Sequence, residues 1–233
     1  WQPIDPTFRT LADSYVVEHN LIQGRAGAQR PWVSVAAGGL AFVWQAEGLG
    51  AAGQPGSFVE LATALDDPPA FASQDAAGNH LHYAAGWSDP AVSEEVLSLP
   101  CSLEHAIILS QRPRYEGTAE FLELRATLRL LPGTVLLADG VPVRSQVQAA
   151  ETLEVRTADG ETGLILNPPR AFEQAQPGVA VAGTYAVYPT AQSDTWLIGV
   201  RTPWSWWTAP ARTYPAVLDP LITVQRSTGW GDG

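Results

Sequence analysis

The sequence predicts an all-β fold, a large antiparallel β-sandwich of about a dozen strands. Three observations carry that expectation. Within residues 119–143, Leu122, Leu124, Ala126, Leu128 and Leu130 alternate with Glu123, Arg125, Thr127 and Arg129, a two-residue period that puts apolar side chains on one strand face and charged ones on the other. The 21 glycines and 19 prolines are spread along the chain and cut it into short segments, which suits strands and turns. No helical period runs over about ten residues or more. A repeat of fixed period is also absent, which disfavours a propeller or β-helix.

The elements follow in order. Residues 1–10, with Pro3 and Pro6, form an extended lead-in packed by Trp1, Ile4 and Phe8. Residues 14–22 have the β-branched and aromatic content of a strand, and 24–31 are a polar loop. Two short strands, 32–35 and 40–45, are joined by Ala36-Ala37-Gly38-Gly39, the composition of a tight hairpin, which sets Trp32 near Trp44. A Gly-rich surface loop over 48–56 precedes a strand over 57–65. The Asp-, Pro- and Ala-rich stretch 66–78 is the one place for a weak boundary in what reads as a single sandwich domain over 1–233. Strands over 80–87, 92–99 and 104–112 lead to the alternating strand. Pro132-Gly133 then turns the chain into a return strand over 134–138, stopped by Asp139-Gly140, so the pair reads as a hairpin. Residues 152–157 and 163–166 flank Asp159-Gly160 as another hairpin, and 179–188, 195–201 and 221–226 complete the set.

Composition bounds the function. The chain has 233 residues, 45% of them hydrophobic and 16% charged, enough to bury a core and too apolar for wholesale disorder. Against 24 acidic residues stand 13 basic ones, every one an arginine, for a net charge of -11. Sequence-independent contact with a phosphate backbone rests on a Lys/Arg surplus, so nucleic acid is not expected as a partner. A single cysteine, Cys101, excludes an internal disulfide, and its neighbours Leu99, Pro100 and Leu103 predict a partly buried thiol. No apolar run approaches the length of a membrane span. The amino end carries no signal peptide, and a chain without methionine reads as a processed or excised segment, compatible with an extracellular or cell-surface setting.

Three groups of residues have chemistry to offer. Trp204, Trp206 and Trp207 follow Pro203 and concentrate three of the nine tryptophans. An exposed tryptophan cluster is a platform for sugar rings; a buried one plugs the end of a sandwich. In an extended segment Trp204 and Trp206 share a face, with Trp207 opposite. Arg112 and Arg114, with Tyr115, are the densest basic patch and suit a carboxylate or sulfate on a substrate. His80 and His82 share a strand face at a spacing that presents two ligands to a metal, with His19, Glu104 or His105 to complete the set. The sequence specifies no third ligand, and an exposed strand edge explains the pair, so no metal or other cofactor is expected. Cupins have the same HxH spacing, but a glutamate follows it there, where this chain has Ala84, Ala85 and Gly86.

His80, His82, Tyr83 and Arg114 together are a weak catalytic set of polysaccharide-lyase type, in which a cation neutralises a uronate and Tyr or His moves the proton. The order of His19-Asn20, strand arginines and a strand running to Asp139 is similar, at scattered positions, to the carboxy-terminal sandwich of heparinase II/III-like lyases. It contains no diagnostic motif and lacks their helical toroid, so it does not identify the chain as a member. Adjacent Glu94 and Glu95 point to opposite strand faces and cannot act as a glycosidase pair. Phosphate loops, dinucleotide fingerprints, GxSxG and CxxC are absent. The leading expectation is a carbohydrate-binding sandwich, as a binding module or an accessory domain of a polysaccharide-processing enzyme, with Trp204, Trp206, Trp207, Arg112 and Tyr115 at the site. The alternatives are a structural virion or cell-surface assembly protein, which implies a homo-oligomer or assembly neighbours, and a polysaccharide lyase-like enzyme.

Overall fold

The computed structural model describes residues 4–18, 20–53, 57–157, 162–219 and 221–226, with only the backbone described at 162 and 221–226. Trp1, His19, the Asp159-Gly160 turn and Trp230 lie outside the described residues.

The chain alternates between two antiparallel sheets. β1 (Arg9–Thr10), β2 (Ser14–Val17), β3 (Gln23–Gly27), β4 (Trp32–Ala37), β5 (Leu40–Ala52) and β6 (Phe58–Thr63) belong to the first; β7 (Ser73–Gln74), β8 (His80–Tyr83), β9 (Val92–Leu99) and β10 (Ser102–Leu109) begin the second. β11 (Phe121–Leu130) returns to the first, and β12 (Thr134–Ala138) and β13 (Val141–Pro142) go to the second. β14 (Val147–Ala150) joins the first sheet, and β15 (Leu153–Thr157), β16 (Thr162–Leu166), β17 (Arg170–Glu173) and β18 (Ala180–Ala182) join the second. β19 (Thr184–Pro189) and β20 (Thr195–Pro203) complete the first sheet, a short helix α1 (Trp204–Thr208) follows, and β21 (Ala216–Asp219) and β22 (Leu221–Arg226) complete the second.

The first sheet runs β1-β2-β3-β4-β5-β11-β20-β19-β14, with β6 beside the later half of β5. In the second, β21 and β22 share one edge of β10, while β9, β8 and β7 continue from its other edge. The expected all-β class is what the chain adopts. More strands form than the sequence suggests because the strands are short and turns are frequent.

The core is made by inward residues of alternating strands. Leu122, Leu124 and Leu128 of β11 are wholly buried and join Phe42 and Trp44 from the same sheet and Leu81, Val96, Ile107 and Val155 from the other. Burying each such leucine contributes roughly 1.5–3 kcal/mol. Glycine sets the hairpins: Gly38 and Gly39 turn β4 into β5 with φ 57° and 84°, and Asp139-Gly140 turns β12 into β13 with φ 48° and 78°. Both pairs match two-residue turns that need φ > 0 twice.

The structure revises several local expectations. β11 and β12 do not form a hairpin: β5 and β20 already occupy both edges of β11, so the chain arches at Pro132-Gly133 into the other sheet, where β12 pairs with β13 and β15. Part of the expected loop over 24–31 is β3, and Gly48 to Ala52 extend β5 rather than forming a loop. The strand expected over 179–188 splits at Gly183 between sheets. Trp32 and Trp44 lie on adjacent strands but opposite faces, because Trp44 opposes Val33 and Trp32 opposes Gln45. Trp44 is core, while Trp32 is half-buried beneath the Arg25 guanidinium. Cys101 is an exposed free thiol in the turn between β9 and β10.

The polar face of β11 is not uniformly wet. Glu123 is wholly buried, accepts from Arg201 Nε at 2.6 Å and Arg125 Nε at 2.9 Å, and lies beside Gly199, where a Cβ would approach its Cδ to 2.9 Å. Arg201 and Arg125 also stack near Phe121, Tyr188 and Phe58, so aromatic rings cover the charges.

Candidate functional site

Two crossings between the sheets meet at one end of the sandwich. β10 ends at Leu109 opposite Ala216, where β21 begins, and β11 begins at Phe121 opposite Pro203, where β20 ends. The connections 110–120 and 204–215 therefore run side by side, and they carry the arginines and tryptophans that the sequence singles out.

Local geometry turns the tryptophan segment into one helical turn instead of an extended platform. Trp204 N–H donates to the Glu120 carbonyl at 2.8 Å, and the Thr208 hydroxyl donates to the Trp204 carbonyl at 3.1 Å. Ala209 precedes Pro210 and is extended (φ -55°, ψ 135°), which ends the helix. Within this turn the three indoles separate by role. Trp207 is wholly buried and donates through Nε1 to the Thr202 hydroxyl at 2.8 Å, so it is a core residue and cannot reach a ligand. Trp206 is half-buried, packs edge-on against Trp207 with ring centroids 4.9 Å apart, and has one face covered by the Arg212 guanidinium at 3.6 Å. Trp204, also half-buried, meets Tyr115 edge to face, with centroids 6.1 Å apart and an interplanar angle of 86°.

The arginines tie the crossings together. Arg112 Nη2 donates to the Ala209 carbonyl at 3.0 Å, and Arg114 is exposed next to it. Arg212 donates to the Trp206 carbonyl at 3.0 Å and to Glu173 Oε1 at 2.7 Å. The Thr213 hydroxyl and N–H, with Arg212, hold the Glu173 carboxyl below the usual carboxylate range. Tyr214 donates to the Trp207 carbonyl at 2.5 Å, and burial pushes its phenol up to about 12, so it stays a donor across the neutral range. Beside Arg112 and Arg114 opens a hollow of about 120 Å³ with Leu49, Leu61, Val92 and Leu109 as its floor and Asp89 at its rim. Arg112 and Tyr115 thus both meet the 204–209 segment, Arg112 at the Ala209 carbonyl and Tyr115 at the Trp204 ring, whereas Trp206 is paired with Arg212.

The weak catalytic set does not assemble. On β8, His80 and His82 are half-buried on the outer face, whereas Tyr83 faces the core, is 2% exposed and donates its hydroxyl to the Gly27 carbonyl at 2.7 Å. Burial pushes the Tyr83 phenol far above its usual range, which removes it as a proton carrier. His80 opposes Leu97, five residues along β9 from the Val92 hollow that Arg114 lines, a separation on the order of 17 Å at ~3.4 Å per residue. No group of three or more His, Cys, Asp or Glu side chains is placed to hold a metal among the described residues, and His19 lies outside them. His80 instead pairs with Glu95, Nε2 to Oε2 3.1 Å, and that partner raises its pKa above the ordinary imidazole value.

Glu94 and Glu95 do point to opposite faces, and the inward one anchors a buried polar chain that sequence reasoning missed. Trp87 Nε1 donates to Glu94 Oε2 at 3.1 Å, Glu94 Oε1 pairs with His105 Nε2, and His105 Nδ1 accepts from Trp44 Nε1 at 3.2 Å. Glu94 and His105 are 0% and 1% exposed. The signal was phase: Glu94 alternates in step with Val92 and Val96, and His105 with Leu103 and Ile107, so both belong to the inward sets of their strands.

In comparisons with known proteins, the chain matches no family model, no curated protein and no solved structure.

Proposed function

We propose that this protein binds carbohydrate at the end of the sandwich where residues 110–120 meet α1, as a binding module or as the accessory domain of a polysaccharide-processing enzyme. The observation that supports this reading is the meeting of residues 112–115 with the distant 204–209 segment, Tyr115 against Trp204 and Arg112 at the Ala209 carbonyl, with Arg114 exposed in the same stretch. Aromatic faces hold sugar rings by excluding water from their C–H edges, and guanidinium groups pair with carboxylate or sulfate oxygens in two-point contacts. With Trp207 in the core and one face of Trp206 under Arg212, the platform role falls to Trp204 and Tyr115. An acidic chain that gathers exposed arginines at one place selects for an anionic glycan there and repels it elsewhere. Such a ligand implies a setting outside the cell or at its surface.

The test is a titration of intrinsic tryptophan fluorescence with neutral and acidic oligosaccharides, on the native chain and on Trp204→Ala, Tyr115→Ala and Arg114→Ala. Saturable shifts with acidic sugars, lost in the variants, support the reading. Absence of any saturable response across the panel refutes it.

A further inference from the structure

The hollow beside Arg112 and Arg114 restricts the ligand by size as well as by charge. Its volume is about 120 Å³. A cavity of roughly 150 Å³ takes a benzene-sized group, so this one takes a substituent of about four or five non-hydrogen atoms and excludes a whole sugar ring. The ring that carries such a substituent lies outside, where an aromatic pair adjoins the hollow: Arg114 lines the hollow, and Tyr115, the next residue, meets Trp204 edge to face. Successive Cα atoms are only about 3.8 Å apart, so the hollow and the aromatic pair are within reach of one sugar and its neighbour.

The walls select the substituent. Leu49, Val92 and Leu109 are buried and Leu61 is half-buried, and together they form an apolar floor suited to a methyl group. Groups of both polarities stand at the rim. Asp89 lines the hollow and is half-buried, and among the described residues its side chain is bonded through Oδ1 alone, which accepts from the Ala91 N–H at 2.8 Å. Its other carboxylate oxygen is left to accept from a ligand. Arg112 spends Nη2 on the Ala209 carbonyl, and Arg114 is exposed with no ion pair or hydrogen bond among the described residues. A fitting group therefore has an apolar end, an N–H to donate and a carbonyl to accept, and an acetamido group combines all three within the available size. A hydrocarbon stem or an acetyl ester of the same size has no donor and leaves the Asp89 oxygen unpaired, and a carboxylate in the hollow meets Asp89 with like charge.

We propose that the site at the sandwich end takes an acidic glycan containing N-acetylated amino sugars. The acetyl methyl lies on the apolar floor, the amide N–H donates to Asp89 and the carbonyl accepts from Arg112. The amino-sugar ring rests against Trp204 and Tyr115, and the carboxylate or sulfate of the adjoining sugar pairs with Arg114. This assignment rests on the carbohydrate reading and adds to it which sugars are chosen.

The experiment is isothermal titration calorimetry of the full chain with three acidic tetrasaccharides: alternating glucuronate and N-acetylglucosamine, the same sugar with N-formyl in place of N-acetyl, and tetragalacturonate, which has no amino sugar. The N-acetyl ligand should bind about three- to fivefold more tightly than the N-formyl one, the worth of one buried methyl. It should bind about tenfold or more tightly than tetragalacturonate, the worth of a hydrogen bond to a charged group. Saturation-transfer difference NMR should find the acetyl methyl among the most strongly saturated protons of the ligand. Ala91→Leu, which fills the hollow, should abolish both preferences and leave the affinity for tetragalacturonate within about twofold of native. Should Ala91→Leu disturb the fold, as circular dichroism would report, Leu61→Phe at the floor carries the test with the same expected result. Equal affinities for the three ligands, weak saturation of the methyl protons, or unchanged N-acetyl affinity in a folded Ala91→Leu or Leu61→Phe chain overturns the acetamido assignment and leaves the carbohydrate reading standing. Absence of binding by all three ligands overturns both.

Discussion

Replacing Glu94 by glutamine should destabilise the fold by about 1–3 kcal/mol although the side chain keeps its shape, and the reason is the order of donors in the buried chain. Indole nitrogens only donate. Trp44 Nε1 points at His105 Nδ1, so Nδ1 is the acceptor and the imidazole carries its hydrogen on Nε2. Nε2 therefore donates to Glu94, and Trp87 donates to the other oxygen, so the carboxylate accepts twice. A glutamine has one oxygen and one amino group. If its oxygen takes the His105 hydrogen, its NH₂ faces the Trp87 N–H; in the other orientation the imidazole must switch tautomer and then meets the Trp44 N–H with its own. One donor–donor conflict remains in every arrangement, hence the magnitude. Glu94→Ala leaves both donors without an acceptor and should cost about 2–6 kcal/mol, a large share of the 5–15 kcal/mol that holds a typical domain. The assay is urea unfolding followed by tryptophan fluorescence, comparing midpoints at constant slope. Adding Trp87→Phe removes the competing donor, so the Glu94→Gln and Trp87→Phe changes should be less than additive by about 1–2 kcal/mol. Additive effects, or a Glu94→Gln chain as stable as the native one, would refute the donor order.

Three further outcomes follow from the same geometry. Trp207→Ala should cost about 3–5 kcal/mol in unfolding, whereas Trp204→Ala should cost no more than about 1–2 kcal/mol and weaken oligosaccharide binding about thirtyfold, the loss expected of an aromatic anchor worth ~2 kcal/mol. Glu123→Ala strands Arg201 as a buried charge and should cost about 3–5 kcal/mol by urea unfolding, while the paired change Glu123→Leu with Arg201→Met should restore most of it. For His80, the Glu95 partner favours the protonated ring in the folded state, so its contribution to stability is full below the ordinary imidazole pKa and is lost as pH rises through the higher folded value. An NMR titration should place His80 above an ordinary histidine, and Glu95→Gln should bring it down; an unshifted His80 in the native chain contradicts the pairing.

Much of the fold was legible because period-two patterns depend only on which residues alternate. The strand at 122–130 was visible in that way, and the Gly38-Gly39 and Asp139-Gly140 turns were visible in composition, because φ > 0 excludes most side chains there. Partner choice was not legible. Pro132-Gly133 satisfies a hairpin and an arch equally well, and only the prior claim of β5 and β20 on the edges of β11 sends β12 to the other sheet.

The candidate site divides in the same manner. Residue types at 112–115 and 204–207 announced guanidinium and aromatic chemistry, because that depends on side-chain identity alone. Which of those side chains meet and which face water depended on the tertiary structure. Trp207 was lost to the core because a single helical turn, ended by Ala209-Pro210, rotates it inward onto Thr202, and one face of Trp206 was taken by Arg212, which Glu173 on β17 holds in place. The sequence by itself determined an all-β chain, its turns and its chemically distinctive segments, since those follow from local sterics and side-chain alternation. Tertiary packing decided the pairing of strands, the burial of Glu94, Glu123 and Asp219, and the meeting of residues 112–115 with α1, because each depends on contacts between segments that are distant along the chain.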